Sequence, residues 1–102
     1  MSTPEGKVKA HVNMALKPIA HLWKFMPVQT GYGVPALDYL LCIRGRFVAI
    51  EAKAKGKKLT TRQQQTKTEL EAAGAKVFIV DSKESLNEAV EWILIYANSN
   101  GL

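Results

Sequence analysis

The chain has 102 residues, of which 47% are apolar and 23% charged, the balance of one globular domain with no room for a second. No apolar run approaches the roughly 18 residues of a membrane span, and the N-terminal residues are polar rather than signal-like. A soluble, cytoplasmic protein without a membrane partner is expected. The net charge of +5 suits a polyanionic partner without requiring one.

Residues 4–17 read as a first helix, with Thr3 as N-cap, Pro4 at the first helical position, and Val8, Val12, Ala15 and Leu16 at helical spacing before Pro18. Residues 20–27 fit a strand in which Trp23 and Phe25 share one face as packing residues, and 29–35, with its glycines and proline, reads as a loop. Two apolar stretches, 38–43 and 47–53, flank Arg44-Gly45-Arg46, the spacing of an antiparallel hairpin. Cys42, the single cysteine, sits in the first stretch and reads as a small buried thiol. His11 and His21 lack acidic or Cys neighbours and read as structural.

A basic loop, 54–58, leads to Thr60 or Thr61 as N-cap of a second helix ending near Ala73, with Gly74 as its stop. Residues 76–80 form a short apolar strand, expected to be interior and parallel to a neighbour because a crossover helix precedes it. Asp81 and Ser82 then cap a last helix over 84–97, with Leu86, Ala89, Val90, Ile93, Leu94 and Ala97 on one face. Trp92, Ile95 and Tyr96 spread apolar surface around its other side, which suggests a homodimer through this C-terminal helix. The order is α-β-β-β-α-β-α, an α/β domain with one mixed sheet flanked by helices.

The two-residue period of 47–53 places Phe47, Ala49, Glu51 and Lys53 on one face. With the turn centred on Gly45, Asp38 falls opposite the Glu51 to Lys53 stretch. Two such carboxylates repel one another unless a cation sits between them, and hard oxygen ligands suit Mg²⁺ or Mn²⁺. The spacing alone favours the plainer reading, a strand-end Asp and an exposed Glu-Lys surface pair. Lys55, Lys57, Lys58, Arg62 and Lys67 follow with no acidic residue among them, which reads either as a phosphate-contacting patch or as a solvated basic loop.

GVPALD at 33–38, IEAK at 50–53 and LTTRQ at 59–63, followed by a glycine and a short apolar strand, resemble the virus-type replication-repair nuclease (VRR-NUC) domain of the PD-(D/E)xK superfamily. The resemblance runs from Glu5 to about Ser82 and implies a restriction-endonuclease-like core. It implies that Asp38, Glu51 and the Ala52 carbonyl bind Mg²⁺ or Mn²⁺, that Lys53 is the catalytic lysine, that Gln63 supports the site, and that Glu5 adds a further carboxylate from the first helix. One departure is visible, since the family usually has Pro directly before the Asp whereas Ala36 and Leu37 intervene here.

Stand-alone viral members of the family resemble junction resolvases. The implied function is therefore a Mg²⁺-dependent, structure-directed DNA endonuclease acting as a homodimer on branched DNA such as four-way junctions. A phage-encoded copy would act in a bacterial host. The competing readings are a non-catalytic nucleic-acid-binding module on the same fold, and a subunit that only bridges other replication proteins.

Overall fold

Helix α1 (Pro4–Leu16) starts where the sequence places it: Thr3 Oγ1 accepts the Gly6 N–H at 2.9 Å, and Pro4 opens the first turn. The computed structural model describes residues 3–28 and 35–98; the loop expected at 29–35 therefore lies, apart from Pro35, outside the described residues. Val12 and Leu16, one turn apart, are buried.

Strand β1 (Leu22–Phe25) is shorter than the expected 20–27, because His21 turns the chain with φ 63° immediately before it. It pairs antiparallel with β2 (Tyr39–Ile43), which pairs antiparallel with β3 (Arg46–Ala52). Ile43 faces Arg46, leaving a two-residue turn in which Arg44 and Gly45 have φ 47° and 89°. Positive φ at both positions is the type I′ arrangement, which matches the right-handed twist of the strands and favours Asn-Gly. Arg44 adopts it at a steric cost. Arg44→Asn is expected to stabilise the domain by up to about 1 kcal/mol, seen as a rise in Tm of a few degrees in a thermal melt.

Helix α2 (Thr61–Ala72) is capped by Thr60 and stopped at Gly74, whose φ of 100° suits glycine. The Ala75 N–H reaches back to the Leu70 carbonyl at 2.9 Å and the Gly74 N–H to that of Glu71 at 3.0 Å, the double closure of a Schellman motif. The chain then enters β4 (Lys76–Val80), parallel to β3, and ends in α3 (Lys83–Ala97) behind Ser82 as N-cap.

The sheet order is β1-β2-β3-β4, so β4 is parallel as expected but lies at an edge rather than in the interior. It is buried nonetheless, because α2 packs on one side of it and α3 on the other. The larger core joins Val12 and Leu16 of α1 to Tyr39, Leu41, Ile43, Val48, Ile50, Phe78 and Val80 of the sheet and Ala89, Ile93 and Ala97 of α3. On the opposite face Leu37, Ala49 and Val77 form a smaller cluster with Leu40, Leu70 and Ile79.

Coverage of that second face corrects two expectations. α2 lies over β4, leaving the β1–β2 end open, so Cys42 is exposed rather than buried. Trp23 and Phe25 are 63% and 48% exposed, their rings stacked on each other at 6.0 Å rather than packed into a core. A third correction concerns α3: Ile93 is fully buried, whereas Leu94, assigned to the same face, is 37% exposed. Adjacent helical residues point about 100° apart. Trp92 and Tyr96 pack against the core as well, so the apolar surface that α3 leaves exposed is Leu94 and Ile95.

Candidate active site

The β2–β3 ladder is paired as far as Tyr39 and Ile50, and one residue further on the chain presents Asp38 facing Glu51. Their carboxylates tie the two backbones together reciprocally. The Asp38 N–H donates to Glu51 Oε1 at 3.1 Å, and the Ala52 N–H donates to Asp38 Oδ2 at 2.9 Å. Beyond this point the Lys53 N–H donates to the Val80 carbonyl at 2.9 Å, so β3 continues alongside β4. The strands part here, and the acidic pair occupies the opening.

The two residues that separate Pro35 from Asp38 do not dislodge the aspartate. Leu37 is fully buried with Ala49 and Val77, and this apolar anchor holds the chain where Asp38 meets Glu51.

Glu51 is only 3% exposed. Its Oε2 accepts a hydrogen bond from Gln63 Nε2 at 2.9 Å, and Lys53 Nζ lies 3.9 Å from the same oxygen. Burial, and then the charge of Asp38, push the Glu51 carboxyl up to about 7, although the Asp38 N–H and Lys53 oppose the shift. A carboxylate so placed is short of positive charge.

Gln63 uses both ends of its amide. Its Oε1 accepts the Thr60 N–H at 3.0 Å while its backbone N–H donates to Thr60 Oγ1 at 3.1 Å, which closes a capping box at the start of α2. The helix terminus thus orients the amide whose nitrogen grips Glu51. The Thr60 cap was readable from the sequence, but the coupling of cap to carboxylate was not.

From the other side α1 contributes Glu5 and Lys9. Lys9 Nζ lies 3.4 Å from Asp38 Oδ1 and 3.6 Å from Glu5 Oε2. Glu5 therefore reaches the site through Lys9 and not by direct approach to Asp38 or Glu51. Lys9 was missed in the sequence, although its i,i+4 spacing from Glu5 places both on one helical face. The Tyr39 hydroxyl donates to the Lys9 carbonyl at 3.1 Å and pins the helix there. Burial, and then Asp38, push that phenol up to about 12.

Of the expected basic patch, Lys55, Lys57, Lys58 and Arg62 are exposed between Lys53 and the first turn of α2. Lys67 is set apart from them, half-buried and held by Glu71 at 3.1 Å. His11 and His21 are both exposed. Among the described residues no three His, Cys, Asp or Glu side chains converge as a metal cluster. The available donor set is therefore the Asp38–Glu51 pair, which suits Mg²⁺, since that ion usually takes one or two carboxylates and fills its remaining positions with water and phosphate oxygens.

A four-stranded mixed sheet in this helix order, with an Asp, Glu and Lys where its strands part, defines an α/β domain of one mixed sheet flanked by helices. Its fold is that of a VRR_NUC domain: a solved structure of that description aligns with a TM-score of 0.74 and 23% sequence identity, covering 88% of this chain and 97% of the other. No family model matches the sequence. No curated protein matches it either.

Proposed function

We propose that the protein is a divalent-metal-dependent DNA endonuclease, structure-directed and acting as a homodimer on branched DNA such as four-way junctions. The observation that carries this reading is the buried Glu51 carboxylate, facing Asp38 and touched by Lys53 and Gln63. Asp38, Glu51 and the Ala52 carbonyl would hold Mg²⁺ or Mn²⁺. Such an ion supplies charge neutralisation at the phosphodiester and an acidified water.

The chain's own residues supply the rest. Lys53, almost completely buried beside Glu51, would orient the attacking water or take its proton. Gln63 holds Glu51 in place through Oε2. Glu5 and Lys9 flank Asp38 from α1, and Lys9 supplies a cation at the mouth of the site. Lys55, Lys57, Lys58 and Arg62, exposed next to Lys53 and in no ion pair among the described residues, would grip backbone phosphates, with Lys67 at their far end. The fold of a VRR_NUC domain supports the same assignment.

The test is cleavage of labelled four-way junction, flap and duplex DNA with Mg²⁺, Mn²⁺ or EDTA. Junction cutting that requires the metal is expected; metal-independent cutting, or binding without cutting, would refute the nuclease reading. Sizing of the same preparation should show a dimer that Ile95→Asp dissociates, Ile95 being 67% exposed on α3. Ile93, fully buried, is unsuitable for that test.

A further inference from the structure

At the hairpin end of the sheet, away from the carboxylates, a groove of roughly 1380 Å³ opens between the β2–β3 turn, the end of α2 and the last turns of α3. Arg44, Arg46 and Lys76 line it together with Phe47, Trp92 and Tyr96, and among the described residues no Asp or Glu does. None of its three cations is engaged in an ion pair among the described residues. The Arg46 guanidinium lies over the Tyr96 ring at 4.1 Å from the centroid. Phe47 presents 45% of its surface at the groove edge.

We infer that this groove is a second nucleic-acid contact, which takes an unpaired DNA strand through its phosphates and one or more stacked bases. Cations that meet no carboxylate among the described residues, Lys76 lying over the Phe78 ring as Arg46 does over Tyr96, leave a positive field in a concavity, where field lines are focused. Phe47, exposed beside the arginines, adds sequence-tolerant stacking, the combination by which single strands are held. An acidic peptide would satisfy the cations but would leave Phe47 without a flat partner.

The position fits the proposed reaction, on which the choice of DNA rests. Arg46 and Glu51 stand at opposite ends of β3, about 17 Å apart at roughly 3.4 Å per residue. A strand cut at the carboxylates would thus meet the groove a few nucleotides away, where a branched substrate can offer unpaired bases.

The test is anisotropy of a labelled oligo-dT in EDTA, across a salt series, comparing the wild type with the triple variant Arg44→Asn, Arg46→Gln, Lys76→Gln. Loss of three phosphate contacts should flatten the slope of log K against log salt by about 2 and weaken binding about 10- to 100-fold near 0.1 M salt. The single variant Lys76→Gln, at an exposed strand start, should show the same change at about one-third the slope, and it carries the test if the triple variant is unfolded. In a Trp23→Phe background Trp92 is the remaining tryptophan, and its fluorescence should quench saturably with oligo-dT.

An unchanged slope and affinity in a folded variant would overturn the inference, as would a wild type that binds no DNA. So would loss of poly-glutamate binding alone, which would assign the groove to a protein partner. Metal-dependent cleavage by the wild type is scored separately, so failure of the nuclease reading is not confused with failure of the groove.

Discussion

Lys53→Ala and Glu51→Gln are each expected to lower metal-dependent DNA cleavage by about 10²- to 10⁴-fold, the range lost when a positioned acid–base group is removed. The expectation follows from the geometry. Lys53 is 8% exposed and its Nζ lies 3.9 Å from Glu51 Oε2, so no solvent cation can take its place without rearrangement. Single-turnover rates on a labelled junction, with DNA affinity measured in EDTA, separate this loss from weakened binding. The affinity of Lys53→Ala should fall only modestly, because the exposed cations Lys55, Lys57, Lys58 and Arg62 remain. A rate within a few-fold of the wild type for either variant would remove that residue from the mechanism.

The Asp38–Glu51 meeting was legible because hairpin geometry is strict. Once Gly45 marks the turn, the two-residue period of each strand decides which side chains face one another; the observed pairing runs to Tyr39 and Ile50, and Asp38 and Glu51 come next. Gln63 was legible by resemblance, and its reach to Glu51 became visible only when α2 was placed over the sheet. Lys9 was not legible, since nothing in its local sequence says that α1 will cross beside Asp38. The strand and helix pattern is local; the crossing is not.

The misread residues share one physical reason. Periodicity tells which residues share a face, but not whether another element covers that face. Trp23 and Cys42 stand opposite each other on β1 and β2, on the face that α2 shields only near β4. Each therefore looks like a core residue in sequence and is exposed in the fold. The α3 helix shows the reverse: Trp92 and Tyr96, which looked like surplus apolar surface, pack on the core, Trp92 edge-on to Phe78 at 5.7 Å.

The metal-free protein is expected to lose stability as pH rises from about 4.5 to about 7, and a divalent cation should restore it. Glu51 is raised in the folded state from 4.5 to about 7, so the folded protein retains a proton that the unfolded chain releases. Stability from this group is fully present below the unfolded value and is lost as pH climbs through the folded one. The loss is on the order of 3 kcal/mol, or a fall in Tm of about 10 °C or more for a domain of this size. Glu51→Gln cannot ionise, and its amide oxygen can still accept the Asp38 N–H. In EDTA the Tm of the variant should therefore rise relative to that of the wild type between pH 4.5 and pH 8. Mg²⁺ or Mn²⁺ at about 100-fold its Kd should raise the wild-type stability at pH 8 by about 3 kcal/mol and leave Glu51→Gln nearly unmoved. Calorimetry of both proteins across that pH range, with and without the metal, reads the effect without any DNA. Equal metal stabilisation of the two proteins would place the cation elsewhere than between Asp38 and Glu51.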